Sequence, residues 1–225
     1  MSHLTQDQLK QIAAAKAVEF VPENEYIGIG TGSTVNFFIE ALGQSGKKIK
    51  GAVTTSVKSA ELMAKYEIPQ IQPNEVTRLG IYIDGADEIN HMMQMIKGGG
   101  AALLPEKIVA TLSEQFICIA DESKYVSKLG KFPLPVEVIP MARSMVAREI
   151  VKLGGQPELR IGCKTLHGNE ILDVHGLDLS EPMKMEDTLN SITGVVENGL
   201  FAHRYADLLI LAKAGGAEVI QAHVG

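Results

Sequence analysis

Apolar residues recur in this chain with two periods, and the changes of period mark its elements. Leu9, Ile12, Ala13, Ala17 and Phe20 share one helical face. Thr5 and Gln8 ahead of them fit a capping box. Short apolar runs at 26–30, 49–54, 79–83 and 116–120 read as buried strands, with a weaker one at 68–72. Helical patterns follow three of them: through Phe37, Phe38, Ala41 and Leu42; from a Ser56 cap to Tyr66; and from about Pro105, which suits a first helical position, to Leu112. Strands alternating with helices predict a parallel sheet covered on both faces.

The texture changes after Gly130. Three prolines, Pro133, Pro135 and Pro140, rule out one continuous central strand, though 136–139 can form one. A helix at 141–153 stops at Gly154-Gly155. Strands are expected at 159–164 and 171–174, joined by a tip at His167-Gly168-Asn169. A helix at 181–192 and a strand at 195–197 complete a βαββαβ order of ferredoxin-like type. The apolar stretch 207–212 then returns to the main sheet. The expected fold class is therefore α/β, a Rossmann-like domain at 1–130 plus 204–225, with a smaller α+β domain inserted at 131–203.

Composition narrows the function. The chain has 225 residues, 45% of them hydrophobic, and a net charge of −6. A nucleic-acid surface is not expected at that charge. Cys118 and Cys163 form no CxxC pair and have no His at zinc spacing; both read as core fillers in a reduced, cytoplasmic compartment. No apolar run reaches membrane-spanning length.

The chemistry-bearing residues stand where strands end. Asp84 stops the run at 79–83, and Asp87 follows after Gly85 and Ala86, small residues that leave a ligand room. Lys97 leads Gly98, Gly99 and Gly100, and Glu106 follows Pro105. Acids, an ammonium and a pliant glycine tract at a strand end are the parts of a site. Gly28-Ile-Gly-Thr-Gly-Ser-Thr, between a strand and a helix, can offer phosphate backbone amides and the hydroxyls of Thr31, Ser33 and Thr34 beside Gly32. It departs from the dinucleotide fingerprint, because Ser33 stands at the third glycine position. An ordinary tight turn explains it equally well. Lys124, after the strand at 116–120, could meet an anion or simply lie on the surface. Thr54-Thr55-Ser56 reads as a helix cap. No oxygen-ligand cluster suggests a metal, and His167, His175 and His203 read as structural or exposed.

In combination these segments resemble the ribose-5-phosphate isomerase A family. The resemblance is carried by 28–34, Asp-Gly-Ala-Asp-Glu-Ile-Asn at 84–90, Lys-Gly-Gly-Gly-Ala-Ala-Leu at 97–103, Glu106-Lys107-Ile108, 121–124 and Gly130-Lys-Phe-Pro-Leu-Pro-Val-Glu-Val-Ile-Pro. It covers nearly the whole chain. Thr54-Thr55, where related chains often have a serine-rich turn, and the Met-rich bridge 92–95 depart from it. The resemblance implies aldose–ketose isomerisation of D-ribose 5-phosphate and D-ribulose 5-phosphate, without metal or cofactor, in a homodimer or homotetramer. By the same resemblance Glu106 is the general base, with Asp84, Asp87 and Lys97 as its polar companions. Thr31 to Thr34, Asp84 to Asp87, Lys97 to Gly100 and Lys124 form the substrate-binding stretches. Two other readings predict different behaviour: a phosphosugar-sensing module would bind without turnover, and a nicotinamide-dependent oxidoreductase would bind NAD(H).

Overall fold

A computed structural model describes residues 4–222; residues 1–3 and 223–225, the outer ends of the expected large domain, lie outside it. Along the chain come α1 (Gln6–Val18), β1 (Tyr26–Ile29), α2 (Ser33–Gln44), β2 (Gly51–Thr54), α3 (Val57–Lys65), β3 (Leu79–Asp84), β4 (Glu88–Ile89), β5 (Met95–Ile96), α4 (Leu103–Leu112) and β6 (Ser113–Asp121). There follow β7 (Leu134–Val138), α5 (Arg143–Lys152), β8 (Gln156–Leu159), β9 (Glu170–His175), α6 (Pro182–Asn190), β10 (Val195–Asn198), β11 (Leu200–Phe201), β12 (Leu208–Lys213) and β13 (Gly216–Gln221).

The chain separates into two compact units. One is 1–86, 105–125 and 206–225; the other is 87–104 with 126–205. The expected partition had put 87–104, 126–130 and 204–205 with the first.

The first unit is built on a six-stranded sheet in the order β13-β12-β6-β3-β1-β2. Neighbours are parallel except β13, which turns back antiparallel on β12. Its strands carry Ile, Val and Leu on both faces, as a sheet buried on both sides requires. One face packs Ile27, Ile29, Ile83, Ile117 and Ile119 against α1 and α2 through Ala13, Ala17, Phe38 and Ile39. On the other, α4 comes so close that a Cβ on Gly28 would lie 2.5 Å from Val109 and 2.8 Å from Tyr82. The first helix starts as its sequence predicts: Thr5 and Gln8 exchange capping hydrogen bonds. Two expectations need correction here. The weak strand at 68–72 is only a single bridge, Ala52 to Gln70, because Pro69 and Pro73 deny it a ladder. α4 begins at Leu103, so Pro105 lies inside its first turn.

The second unit has a four-stranded antiparallel sheet in the order β10-β7-β9-β8. Read along the chain as β7-α5-β8-β9-α6-β10, it has the expected βαββαβ order. Val136, Val138, Leu172 and Val174 pack with Val146, Ile150 and Leu189. The strand expected at 159–164 is displaced to Gln156–Leu159, an edge strand where Pro157 is tolerated. The tip is a turn in which Thr165 N–H donates to Asn169 O and Gly168 N–H to Thr165 O. A second, three-stranded sheet, β11-β5-β4, has no counterpart in the sequence reading. The Met-rich bridge is its hairpin: Asn90 Oδ1 accepts from Met92 and Gln94 N–H, and Met93 and Met95 are buried. Cys118 is buried as expected, but Cys163 is half-buried in the loop after β8 and is no core filler.

Candidate functional site

In the first unit, β3 ends by placing Asp84 fully buried at the carboxyl end of the sheet. Its Oδ1 accepts from Thr31 N–H at 3.1 Å and Gly85 N–H at 2.8 Å, and its Oδ2 from the Tyr82 hydroxyl. Three donors on one carboxylate fix its orientation. Tyr82 lies two residues earlier on the same strand face, its ring tilted against Phe116 at 4.7 Å. Burial, then the negative charges of Asp84 and Glu106, hold its phenol well above the ordinary tyrosine range, so it stays a neutral donor. The sequence reading missed Tyr82, because a tyrosine in an apolar run looks like packing. The available signal was its two-residue spacing from Asp84.

Glu106 is in the first turn of α4 and buried. The helix's positive end favours a negative charge there. Its charge bears on the same phenol as Asp84's, so the two acids belong to one local arrangement.

The turn 28–34 serves three separate needs. Gly28 clears α4. Gly30 clears Asp84, whose carboxyl carbon would lie 1.9 Å from an added Cβ. Gly32 caps α2 at φ 106°, a conformation costly for other residues. Thr31 hydrogen-bonds Ser56 at 2.8 Å, and Ser56 also caps α3. The Thr31 to Thr34 segment thus lies at the start of α2 and is tied to the start of α3. Lys124 is half-buried in the single turn after β6, where Asp121 Oδ1 accepts from Ser123.

In the second unit, Asp87 precedes β4 and Lys97 follows β5. Asp87 Oδ2 accepts from Gly99 N–H at 2.8 Å; a Cβ on Gly99 would meet Asp87 Oδ1 at 2.6 Å. Lys97 is buried, its N–H donates to Gly199 O at 2.9 Å, and its ammonium lies 5.6 Å from the Phe201 ring centroid. That distance gives a cation–π attraction. Gly98, at φ 102°, starts a turn closed by Ala101 N–H to Gly98 O, with Gly99 and Gly100 exposed. Next to Asp87, Glu88 takes N–H groups from Gly130 and Phe132 and so secures the segment leading to β7.

Asp84, Glu106 and the 31–34 turn are therefore grouped in one unit, and Asp87 with Lys97 to Gly100 in the other. Gly85 and Ala86 are the two residues between Asp84 and that boundary. His167, His175 and His203 are exposed, His203 on Asp187 at 2.8 Å.

The family model described as ribose 5-phosphate isomerase A (phosphoriboisomerase A) matches residues 51–216. Ribose-5-phosphate isomerase A of Neisseria meningitidis serogroup B is 70% identical over 216 residues, spanning 96% of this chain and 97% of the relative. The crystal structure of ribose 5-phosphate isomerase A from Neisseria gonorrhoeae superposes with a TM-score of 0.96 at 68% identity, covering 97% and 98% of the two chains. A D-ribose-5-phosphate isomerase solved in complex with phospho-erythronic acid superposes at 0.93 with 36% identity, covering 97% and 100%.

Proposed function

Because the chain belongs to the ribose-5-phosphate isomerase A family, we infer that it interconverts D-ribose 5-phosphate and D-ribulose 5-phosphate. The observation that carries this reading is near-full-length kinship at 70% identity. A relative's complex with phospho-erythronic acid, a phosphorylated sugar acid, supports a sugar phosphate as ligand.

The proposed path is a cis-enediolate. In the open-chain aldose, the hydrogen on C2 is acidified by the C1 carbonyl. Glu106 takes that proton, the C2 electron pair moves into a C1–C2 double bond, and the carbonyl oxygen becomes an oxyanion. Glu106 then returns the proton to C1 while O2 gives up its own proton and O1 gains one, leaving the 2-ketose. A carboxylate can do this only where the oxyanion is met by donors as it forms. Lys97 and backbone amides of the glycine tract take that role. Asp84 serves ring opening or the O1–O2 proton movement, and Asp87 holds hydroxyls. The fixed orientation of Asp84 and the buried position of Glu106 support these assignments. The phosphate falls to Lys124 and the glycine-rich stretches, and its binding energy positions the sugar for proton transfer.

No metal or cofactor enters this path. We take the working form as a homodimer or homotetramer in the cytoplasm; the two free cysteines accord with a reducing compartment. Among the described residues no helix is long and apolar enough to cross a membrane.

The test is to incubate the protein with ribose 5-phosphate in D₂O and follow it by NMR. Ketose should appear, with deuterium at C1. Glu106→Gln should lower kcat by roughly 10³-fold or more while substrate binding stays within a few-fold. Binding without ketose formation would replace the isomerase reading with a sensing one.

A further inference from the structure

Arg160, which no assignment above uses, is tied into the Lys97 turn. It directly follows β8, beside β9, with Glu158 paired to Asp173 across the strands. Its Nε and Nη2 donate to Asp173 Oδ2 at 2.8 Å and Oδ1 at 2.5 Å, a fork on a carboxylate. Its Nη1 reaches the other way and donates to Gly98 O and Gly99 O, both at 3.1 Å. Burial pulls the guanidinium's pKa down, but the hydrogen bond and charge of Asp173 more than offset it, and the group stays charged.

Those two carbonyls matter because a trans peptide is planar and points its N–H opposite its C=O. The peptide that gives Gly98 O to Arg160 gives Gly99 N–H to Asp87 Oδ2. The next peptide gives Gly99 O to Arg160 and turns Gly100 N–H away from it. Three glycines have little conformational preference of their own. At the end of the turn Ala101 sits at φ 61°, a left-handed conformation that strains a residue with a Cβ. A strained turn of this kind persists only where its surroundings over-determine it.

We propose that Arg160, backed by Asp173, is a positioning residue for the isomerase reaction. It sets the Gly98–Ala101 turn and, through it, the direction of the Asp87 carboxylate and the Gly99 and Gly100 amides. The proposal rests on the isomerase reading and on the place of Asp87 and the glycine tract in it. Arg160 acts through two carbonyls, not on the sugar. A lysine keeps the charge but has no planar fork to serve a carboxylate on one side and two carbonyls on the other.

The experiment compares Arg160→Ala, Arg160→Lys and a control, Arg143→Ala. The control removes an ion pair to Glu170 in the same unit without touching the turn. kcat, KM and thermal midpoint are measured for each, with and without millimolar guanidinium chloride. Arg160→Ala should lose roughly 10- to 100-fold in kcat/KM, the scale of a small misplacement of binding groups. Guanidinium should recover part of that loss, Arg160→Lys should remain impaired, and Arg143→Ala should keep wild-type kcat and KM. A folded Arg160→Ala with wild-type kcat and KM, or one whose loss guanidinium leaves untouched, would overturn the proposal. A denaturant cannot restore a merely structural loss, so recovery separates positioning from stability. Wild-type protein that makes no ketose would sink the isomerase reading itself, before any variant is compared.

Discussion

At the scale of single residues, the buried acid end of β3 depends on a proton that Tyr82 keeps. Its folded pKa lies well above the unfolded value of about 10. The neutral phenol therefore costs nothing below that pH. As pH rises from there toward the folded value, the unfolded chain ionises first and stability is lost. Urea midpoints measured from pH 8 to 11 should fall at the alkaline end, and Tyr82→Phe should flatten that fall. The same variant should lose about 1 kcal/mol at neutral pH, from one hydrogen bond to Asp84. The sequence made Asp84, Asp87, Lys97 and Glu106 visible because acids, an ammonium and glycines beside apolar runs are out of place as packing. Tyr82 and Arg160 stayed hidden for opposite reasons. Tyr82 matches its apolar neighbours, and Arg160 meets Gly98 and Gly99 across 62 and 61 residues of chain.

At the scale of elements, local signals were readable where both partners are close in sequence. Thr5 and Gln8 announce α1, and the structure shows both reciprocal bonds. Thr5→Ala should cost about 1 kcal/mol, read as a lower urea midpoint with unchanged kcat. Ser56 likewise announces α3. Two-residue strands such as β4, β5 and β11 are too short to show a period of two. One of the partners, Leu200–Phe201, lies about a hundred residues beyond β5. β8 starts three residues earlier than expected and includes Pro157, which is tolerated because β8 is an edge, where its missing N–H is harmless.

At the scale of the whole molecule, the alternation of strands and helices disclosed a parallel sheet, and the apolar stretch at 207–212 disclosed its last parallel strand. Strand order was beyond reach, because β12 enters between β6 and the antiparallel β13 by contacts that no local pattern records. Ending the chain at Tyr205 should leave β6 as an open edge and send the protein to the insoluble fraction, seen by fractionating an expression lysate. That late arrival has a consequence during synthesis. Between Asp121 and Leu208 the ribosome must add 86 residues, roughly 4 to 17 s at ordinary elongation rates. For those seconds β6 waits beside β3 with one flank bare, and a holding chaperone or a run of slow codons in that stretch of message would decide how many nascent chains survive to close it.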